Sequence, residues 1–360
     1  MTTKVIVVEV VRAPGRPEAV GAKRKTAAEK VLDFIIRSFR QAGFLAVSLF
    51  LRWPVWGILR AIRIFDYIFL VYPGSPRDLD GYCPRKVARS PLFSCKPTVG
   101  GIISTGKLGV RGLYLVVPNT AKEFFENNAV CREVKKRLEW IKNLVGERAK
   151  AIAIAGQVPS AFVKNGNVLE RPFVRGNKGT VFCVMETLHE AMKKHGLEIG
   201  KAPIAIVGVG YVGGVLFDAL KAEGQFIMGV DIERRQSGVA LQEDGERLIH
   251  IADVVIALTP KGEDFLPYVK YLKRDAIIID DTHPKVKKQE QPEGMTFYKV
   301  AVGLDGMKFF PKLPGYEADW IPGCAVEAII AAKTGEFNGS SQEEFNKKAR
   351  ELGFFAHLVR

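Results

Sequence analysis

Residues 202–231 read APIAIVGVGYVGGVLFDALKAEGQFIMGVD, and the rest of the chain is organised around them. An apolar run at 204–207 meets Gly208-Val209-Gly210-Tyr211-Val212-Gly213, and an amphipathic pattern then continues to Lys221. A second apolar run at 226–230 ends in Asp231. The order is strand, glycine turn, helix, strand, acid. The G-x-G-x-x-G spacing alone says little, but this context gives each glycine a task. The first makes the tight turn, the second lets the backbone approach a pyrophosphate, and the third lets the helix close on the strand. The helix N-terminus adds free N–H groups and the positive end of its dipole. The stretch therefore predicts a Rossmann dinucleotide-binding domain, with Gly208, Gly210, Tyr211, Val212 and Gly213 at the phosphates. A strand–helix–strand unit without a ligand is the plainer alternative.

Downstream, residues 252–258 (ADVVIAL) form the expected next strand, and Thr259-Pro260 follow where a nicotinamide ribose would lie. Residues 276–280 (AIIID) are a further strand, running into Asp281-Thr282-His283-Pro284-Lys285. His283 and Lys285 at the carboxyl end of a central strand are placed for acid–base work; ordinary polar surface is the competing reading. Upstream, residues 177–195 predict a long helix whose Phe182, Met185, Leu188 and Met192 recur at core spacing. Gly176-Asn177 before it marks a hinge between lobes, and Cys183 on it is expected to be plain packing.

Gly323-Cys324-Ala325-Val326-Glu327 opens a helix expected over 325–334. A thiol there has its pKa lowered by the dipole and the free N–H groups, which suits a nucleophile. An inert buried cysteine remains the other reading.

The chain has 360 residues, enough for two domains, and a net charge of +14. Twelve Lys/Arg against four Asp/Glu fall in residues 1–64, so the first fifth carries much of that excess. Residues 4–11 (KVIVVEVV) suggest a short strand and 12–30 a basic linker. Residues 31–64 interrupt large apolar side chains with Arg37, Arg40, Arg52, Arg60 and Arg63. Arg52 and Pro54 in the middle of the most apolar part speak against a membrane span. A helix lying in an anionic membrane surface fits, as does an arm packed on its own domain or a partner subunit. Charge alone, without a basic-aromatic module, gives no reason to expect nucleic acid. Five dispersed cysteines with no C-x-x-C, and no signal-peptide pattern, point to a reducing, cytoplasmic setting, with the arm peripheral to the inner membrane face. No metal site is expected.

The first lobe also reads as α/β. Strands are expected at 67–72, 99–104, 112–117 and 150–155, with a helix over 131–145, and this alternation predicts a parallel sheet. The loops Gly74-Ser75, Pro118-Asn119-Thr120 and Gly156-Gln157 lie at carboxyl ends of strands and are candidates for one wall of a cleft, with ordinary βα turns as the competing reading. Asn119 or Thr120 would cap a helix. The expected division is a basic arm (1–65), an α/β substrate domain (66–175), and a Rossmann domain with C-terminal helices closing the cleft (176–360).

From Gly176 onward the chain resembles the cyanobacterial aldehyde-forming acyl-ACP reductases. Three stretches carry the likeness: Gly176-Asn177 with Thr180 and the long helix leading to the fingerprint; residues 277–280 followed by Pro284-Lys285; and Cys324-x-x-Glu327-Ala328 before a closing helix ending in Leu352-Gly353-Phe354. The resemblance implies that Cys324 accepts an acyl group from an acyl carrier protein or CoA thioester. It also implies that NADPH reduces the acyl-enzyme to a fatty aldehyde. Glu327 is expected to orient the loop. Two departures stand out. Asp231 favours the 2′-hydroxyl of NAD, although Arg234 and Arg235 could accommodate the 2′-phosphate of NADP. His283 stands where the family has a tyrosine. The two-lobe plan also resembles shikimate-dehydrogenase-like enzymes, so a dehydrogenase of a small hydroxy or amino acid, using His283 or Lys285, is the alternative. A non-enzymatic, membrane-associated NAD-binding sensor is a third reading.

Overall fold

A computed structural model describes residues 52–360 except 74–78, 80–82, 89, 91–92, 233–238, 242–244, 246–247, 314–315, 336–339 and 360, together with scattered helical positions between 31 and 46. The strand expected at 4–11, the linker at 12–30, Gly74-Ser75, Arg234 and Arg235 lie outside the described residues.

The chain is an α/β protein built on two six-stranded sheets. The first lobe opens with α1 (Arg52–Ile62) and β1 (Tyr67–Val71), followed by β2 (Thr98–Thr105) and β3 (Arg111–Val116). Helices α2 (Ala121–Glu126) and α3 (Asn128–Val145) lead to β4 (Ala151–Ile154), α4 (Val158–Lys164) and β5 (Phe173–Val174). The long α5 (Asn177–Lys194) then crosses to the second sheet. Its Phe182, Met185, Leu188 and Met192 are buried, as their spacing predicts. At about 1.5–3 kcal/mol per buried side chain, packing outweighs any local preference in fixing this helix.

The second lobe contains β6 (Ile204–Val207), α6 (Tyr211–Ala222), β7 (Ile227–Asp231), β8 (Val239–Leu241), β9 (Val254–Ala257), α7 (Gly262–Val269), β10 (Ile277–Asp280) and β11 (Thr296–Lys299). These strands lie in the order β11-β10-β9-β6-β7-β8, all parallel. That is the doubly wound dinucleotide-fold order, with the strand direction of travel reversing between β6 and β9. The chain then adds β12 (Val302–Leu304), β13 (Met307–Phe310), α8 (Gly323–Thr334), α9 (Gln342–Glu351) and β14 (Phe354–Ala356).

Two expectations need correction. The first sheet, ordered β13-β2-β3-β1-β4-β5, is mixed: β2 runs antiparallel to β3, and β13 antiparallel to β2. Hence the C-terminal part is not confined to the second lobe. Strand β13 crosses back to edge the first sheet, and the Tyr114 hydroxyl donates to the Pro311 carbonyl at 2.9 Å. One apolar core runs from Phe69 and Ala153 of the first sheet, through Phe182 of α5 and Ile329 of α8, to Ile206 and Ile256 of the second. Helices α5 and α8 form the layer shared by both sheets, so the division at 175/176 is not a clean domain boundary.

The end of the basic arm packs on its own lobe. Trp56 and Leu59 of α1 are buried in the first lobe's outer core, and Trp56 meets Trp140 of α3 edge-on at 5.9 Å. Among the described residues, no helix is long and apolar enough to cross a membrane.

Candidate functional site

The glycine turn has the geometry its spacing demands. Gly208 adopts φ +97°, and a Cβ there would meet the Leu258 carbonyl carbon at 2.8 Å. A Cβ on Gly213 would sit 2.3 Å from the Gly208 carbonyl oxygen, so this glycine lets α6 close on β6. Gly210 is the N-cap of α6 and supplies no side chain to the first-turn N–H groups. Tyr211 is exposed, and Arg175 donates to its hydroxyl at 3.2 Å. Val212 is half-buried against the core. Asp231 is buried at the end of β7. After β9, Thr259 donates to the Lys261 carbonyl at 2.9 Å, and Pro260 is exposed.

Cys324 lies at the second position of α8 rather than just before it, because the helix begins at Gly323, two residues earlier than expected. The packing around it requires glycine twice. Gly176 has φ +77°, and a Cβ there would fall 2.7 Å from the Cys324 Cβ; a Cβ on Gly179 would fall 2.1 Å from the Gly323 carbonyl oxygen. The Gly176-Asn177 turn is therefore a buried joint wedged against α8. The N–H groups of Gly156, Cys324 and Ala325 bear on the sulfur and favour the thiolate. Burial opposes them and prevails, and the thiol is pushed up from 9.0 to about 12. The expectation of a lowered pKa is thus overturned, since a helix terminus acts on a sulfur that has lost its water.

The other titratable groups near Cys324 come from both lobes. Tyr72 follows β1, and its hydroxyl accepts the Gln157 N–H at 3.0 Å. Burial first, and the Cys324 sulfur more weakly, push that phenol up to about 12. Tyr316 and Cys183 feel the charges of Asp281 and Cys324, and burial drives both well above their ordinary values. Asp281, just past β10, is raised from 3.8 to about 6 by burial and, less, by Asp280, against the pull of Lys299. Lys299 ends β11 and donates to the Thr282 carbonyl at 2.8 Å. Asp280 is structural: it accepts from the Thr282 N–H at 2.9 Å, the Thr282 hydroxyl at 2.6 Å and the Val286 N–H at 3.0 Å, fixing the loop that carries Asp281. Such a concentration of shifted groups at strand carboxyl ends is the electrostatic mark of a working site.

Of the residues singled out in the sequence, Cys324 and Gly156 come together at this cluster. His283 is exposed at its edge, its ring tilted over that of Tyr316 at 6.1 Å. Lys285 is exposed, with its backbone packed against Gly262. Glu327 does not face the thiol; its carboxylate accepts the N–H groups of Lys178 at 3.0 Å and Gly179 at 3.4 Å, capping α5. Asn119 accepts the Cys95 N–H at 2.8 Å, while Thr120 caps α2 in a reciprocal box with Glu123. Sequence reasoning missed Asp281, Lys299, Tyr72 and Tyr316. Asp281 carried a signal, being an acid directly after a central strand; the others are joined to the site only by tertiary structure.

No protein-family model matches the chain, and no curated protein sequence matches it. Among solved structures, it is similar to shikimate 5-dehydrogenase of Thermus thermophilus, determined with NADP(H) and shikimate. That match has 13% identity and a TM-score of 0.38, over 79% of this chain and 99% of the other. It is also similar to the N5,N10-methylenetetrahydrofolate dehydrogenase-cyclohydrolase of Trypanosoma brucei, at 13% identity and a TM-score of 0.35, over 87% and 96% respectively. A D-isomer specific 2-hydroxyacid dehydrogenase of Xanthobacter autotrophicus matches at 18% identity with a TM-score of 0.22; the match covers 29% of this chain and 52% of that one, about half its length. None of these likenesses assigns a reaction.

Proposed function

We propose that the chain is an NAD(P)-dependent oxidoreductase working in the cleft between its lobes, and that it reduces an acyl thioester of a carrier protein or CoA to an aldehyde through Cys324. One observation carries the finer reading. Cys324, buried at the start of α8 among backbone N–H groups, is electrostatically coupled to Asp281, an acid from the dinucleotide-type sheet. The glycine turn suits a pyrophosphate: Gly208 and Gly213 exclude any Cβ, no side chain caps the first turn of α6, and Asp231 closes β7 beside it. A dinucleotide held by Gly208, Gly210, Tyr211, Val212, Gly213, Asp231, Thr259 and Pro260 would supply two electrons as hydride. Arg234 follows Asp231 closely enough in sequence to bear on the choice between NAD and NADP.

The chain's own groups divide the remaining work. Cys324 rests as a thiol, so attack on a thioester needs a base. Asp281, titrating near 6, is ionised at neutral pH and is electrostatically coupled to that thiol. It takes the thiol proton as the Cys324 Sγ–acyl bond forms and returns it to the departing carrier thiolate. The Gly156 N–H, which bears on the sulfur, is the donor at hand for the acyl oxygen as it becomes anionic, while the Ala325 N–H is held by the Pro322 carbonyl at 2.8 Å. Tyr316 keeps its phenolic proton, so its hydroxyl can donate a hydrogen bond as well as accept one. His283, its ring tilted over that of Tyr316 at the exposed edge, suits proton exchange with water, with Lys285 nearby in the same loop.

The raised thiol favours a second reading, in which Asp281 and Lys299 handle the proton of a small hydroxy or amino acid and Cys324 is passive. The test is intact-mass analysis after incubation with long-chain acyl-CoA or acyl carrier protein. An adduct on the wild type, absent from Cys324→Ala and discharged by NADH or NADPH, supports the reductase. No adduct, or one that survives Cys324→Ala, sinks it. Oxidation of hydroxy or amino acids by Cys324→Ala would establish the second reading.

A further inference from the structure

We propose that Arg175 binds the pyrophosphate of the dinucleotide, reaching from the end of a first-lobe strand to the glycine turn. The inference rests on the dinucleotide reading of that turn and is independent of what happens at Cys324. Arg175 follows β5 and stands next to Gly176, whose backbone abuts Cys324 at the start of α8. Its side chain reaches the second lobe, where Nη1 donates to the Tyr211 hydroxyl at 3.2 Å. Tyr211 is the first residue of α6. Cα–Cβ bonds in a helix tilt toward its N-terminus, so a side chain at the first position overhangs the helix start. The guanidinium is thus held beside the helix start where the glycine turn would receive a pyrophosphate.

Charge selects the ligand. Both side chains are exposed, and Arg175 forms no ion pair among the described residues. A phenolic hydroxyl takes one N–H of a guanidinium and offsets none of its charge. The start of α6 supplies only about half an elementary charge from its dipole, short of what a pyrophosphate carries. An arginine adds a full charge and grips phosphate oxygens through parallel N–H bonds, which a single point charge does not. Its stem is long and flexible, so the head keeps its place when the backbone beside Gly176 shifts slightly.

Calorimetry on the full chain with NADH and with NADPH tests this, with inorganic pyrophosphate as competitor at low and high salt. The wild type is expected to bind at least one dinucleotide and to release it to inorganic pyrophosphate. Arg175→Met should weaken dinucleotide binding about tenfold and pyrophosphate competition by a similar factor, and salt should weaken the variant less than the wild type. Tyr211→Phe removes the hydroxyl and leaves the cation, so its loss should be smaller, a few-fold at most. Both side chains are exposed, so thermal melts of the two variants without dinucleotide should match that of the wild type. An Arg175→Met variant that binds the dinucleotide as the wild type does overturns the proposal. So does a Tyr211→Phe variant as weak as Arg175→Met, which would make the arginine a tether for the tyrosine ring. A wild type that binds neither dinucleotide overturns the dinucleotide reading itself, and the proposal with it.

Discussion

Two helix N-termini carry the proposed chemistry, and they differ in one respect that decides it. Helices α6 and α8 both begin without a side-chain cap, although at α8 the Pro322 carbonyl takes the Ala325 N–H at 2.8 Å. At α6 the following side chain, Tyr211, is exposed; at α8 Cys324 is 8% exposed and turned inward. The dipole is the same kind of thing in both places and contributes about 0.3–2 kcal/mol. Raising a thiol from 9.0 to about 12 corresponds to about 4 kcal/mol. Burial therefore wins at Cys324 by a wide margin. A helix N-terminus open to water is a place to bring an anion. One sealed inside is a place where an anion forms only with help.

The largest expected effect tests that seal. At pH 7.5 Cys324 should be alkylated by iodoacetamide about a thousandfold more slowly than an unperturbed cysteine, with the rate still climbing above pH 9. Peptide mass spectrometry over a pH series reads this directly. Alkylation at the rate of a free cysteine would erase the contrast between the two termini.

Next comes Asp281. Its carboxyl is raised in the folded chain, so folding favours the protonated form. Its stabilising contribution is complete below pH 3.8 and lost as the pH rises through about 6. Asp281→Asn escapes that loss. The variant should gain on the wild type across this window, by up to about 3 kcal/mol above it, in urea melts at pH 4 and pH 8. It should also lose Cys324 acylation. A gap between the two melts that does not change with pH would mean that the half-buried Asp281 carboxyl is not raised in the folded chain.

A pair of glycine substitutions then separates the two termini. Gly176→Ala imposes a Cβ 2.7 Å from that of Cys324 at φ +77°, and should cost about 2 kcal/mol while sparing dinucleotide binding. Gly213→Ala, with its Cβ 2.3 Å from the Gly208 oxygen, should cost about as much and weaken dinucleotide binding measured by calorimetry. If both variants lost dinucleotide binding equally, the two termini would be one coupled unit.

The α6 side of the comparison was legible in the sequence and the α8 side only partly. Strand, glycine turn, helix and acid at 202–231 are local, and short-range pattern sufficed to place β6, α6 and β7. Cys324 was visible as a thiol at a helix start, but not its burial, which depends on Gly176 and Gly156 arriving from far away in the chain. Tyr72 and Tyr316 come from segments far apart in the chain, and an antiparallel edge strand such as β13 leaves no mark on its distant partner. Alternation of strands and helices in the first lobe suggested a parallel sheet. It could not reveal that β2 turns back on β3, since direction is set by pairing and not by propensity.

The smallest effect belongs to Glu327, which joins the two helices without touching the reaction. Its carboxylate closes the N-terminus of α5 from within α8, accepting the Lys178 and Gly179 N–H groups. Those bonds favour the charged form, yet burial dominates and leaves the carboxyl raised. The charge therefore contributes less than its position at a helix N-terminus suggests. Glu327→Gln keeps an acceptor oxygen and drops the buried charge, two changes of opposite sign, and stability should move by less than about 1 kcal/mol. Because the folded carboxyl is raised, the balance should tilt toward the Gln variant as the pH increases. Glu327→Ala leaves the Lys178 and Gly179 donors buried and unsatisfied and should cost about 2 kcal/mol at every pH. A Gln variant as damaged as the Ala variant in denaturant melts would mean that the charge itself holds α5 against α8.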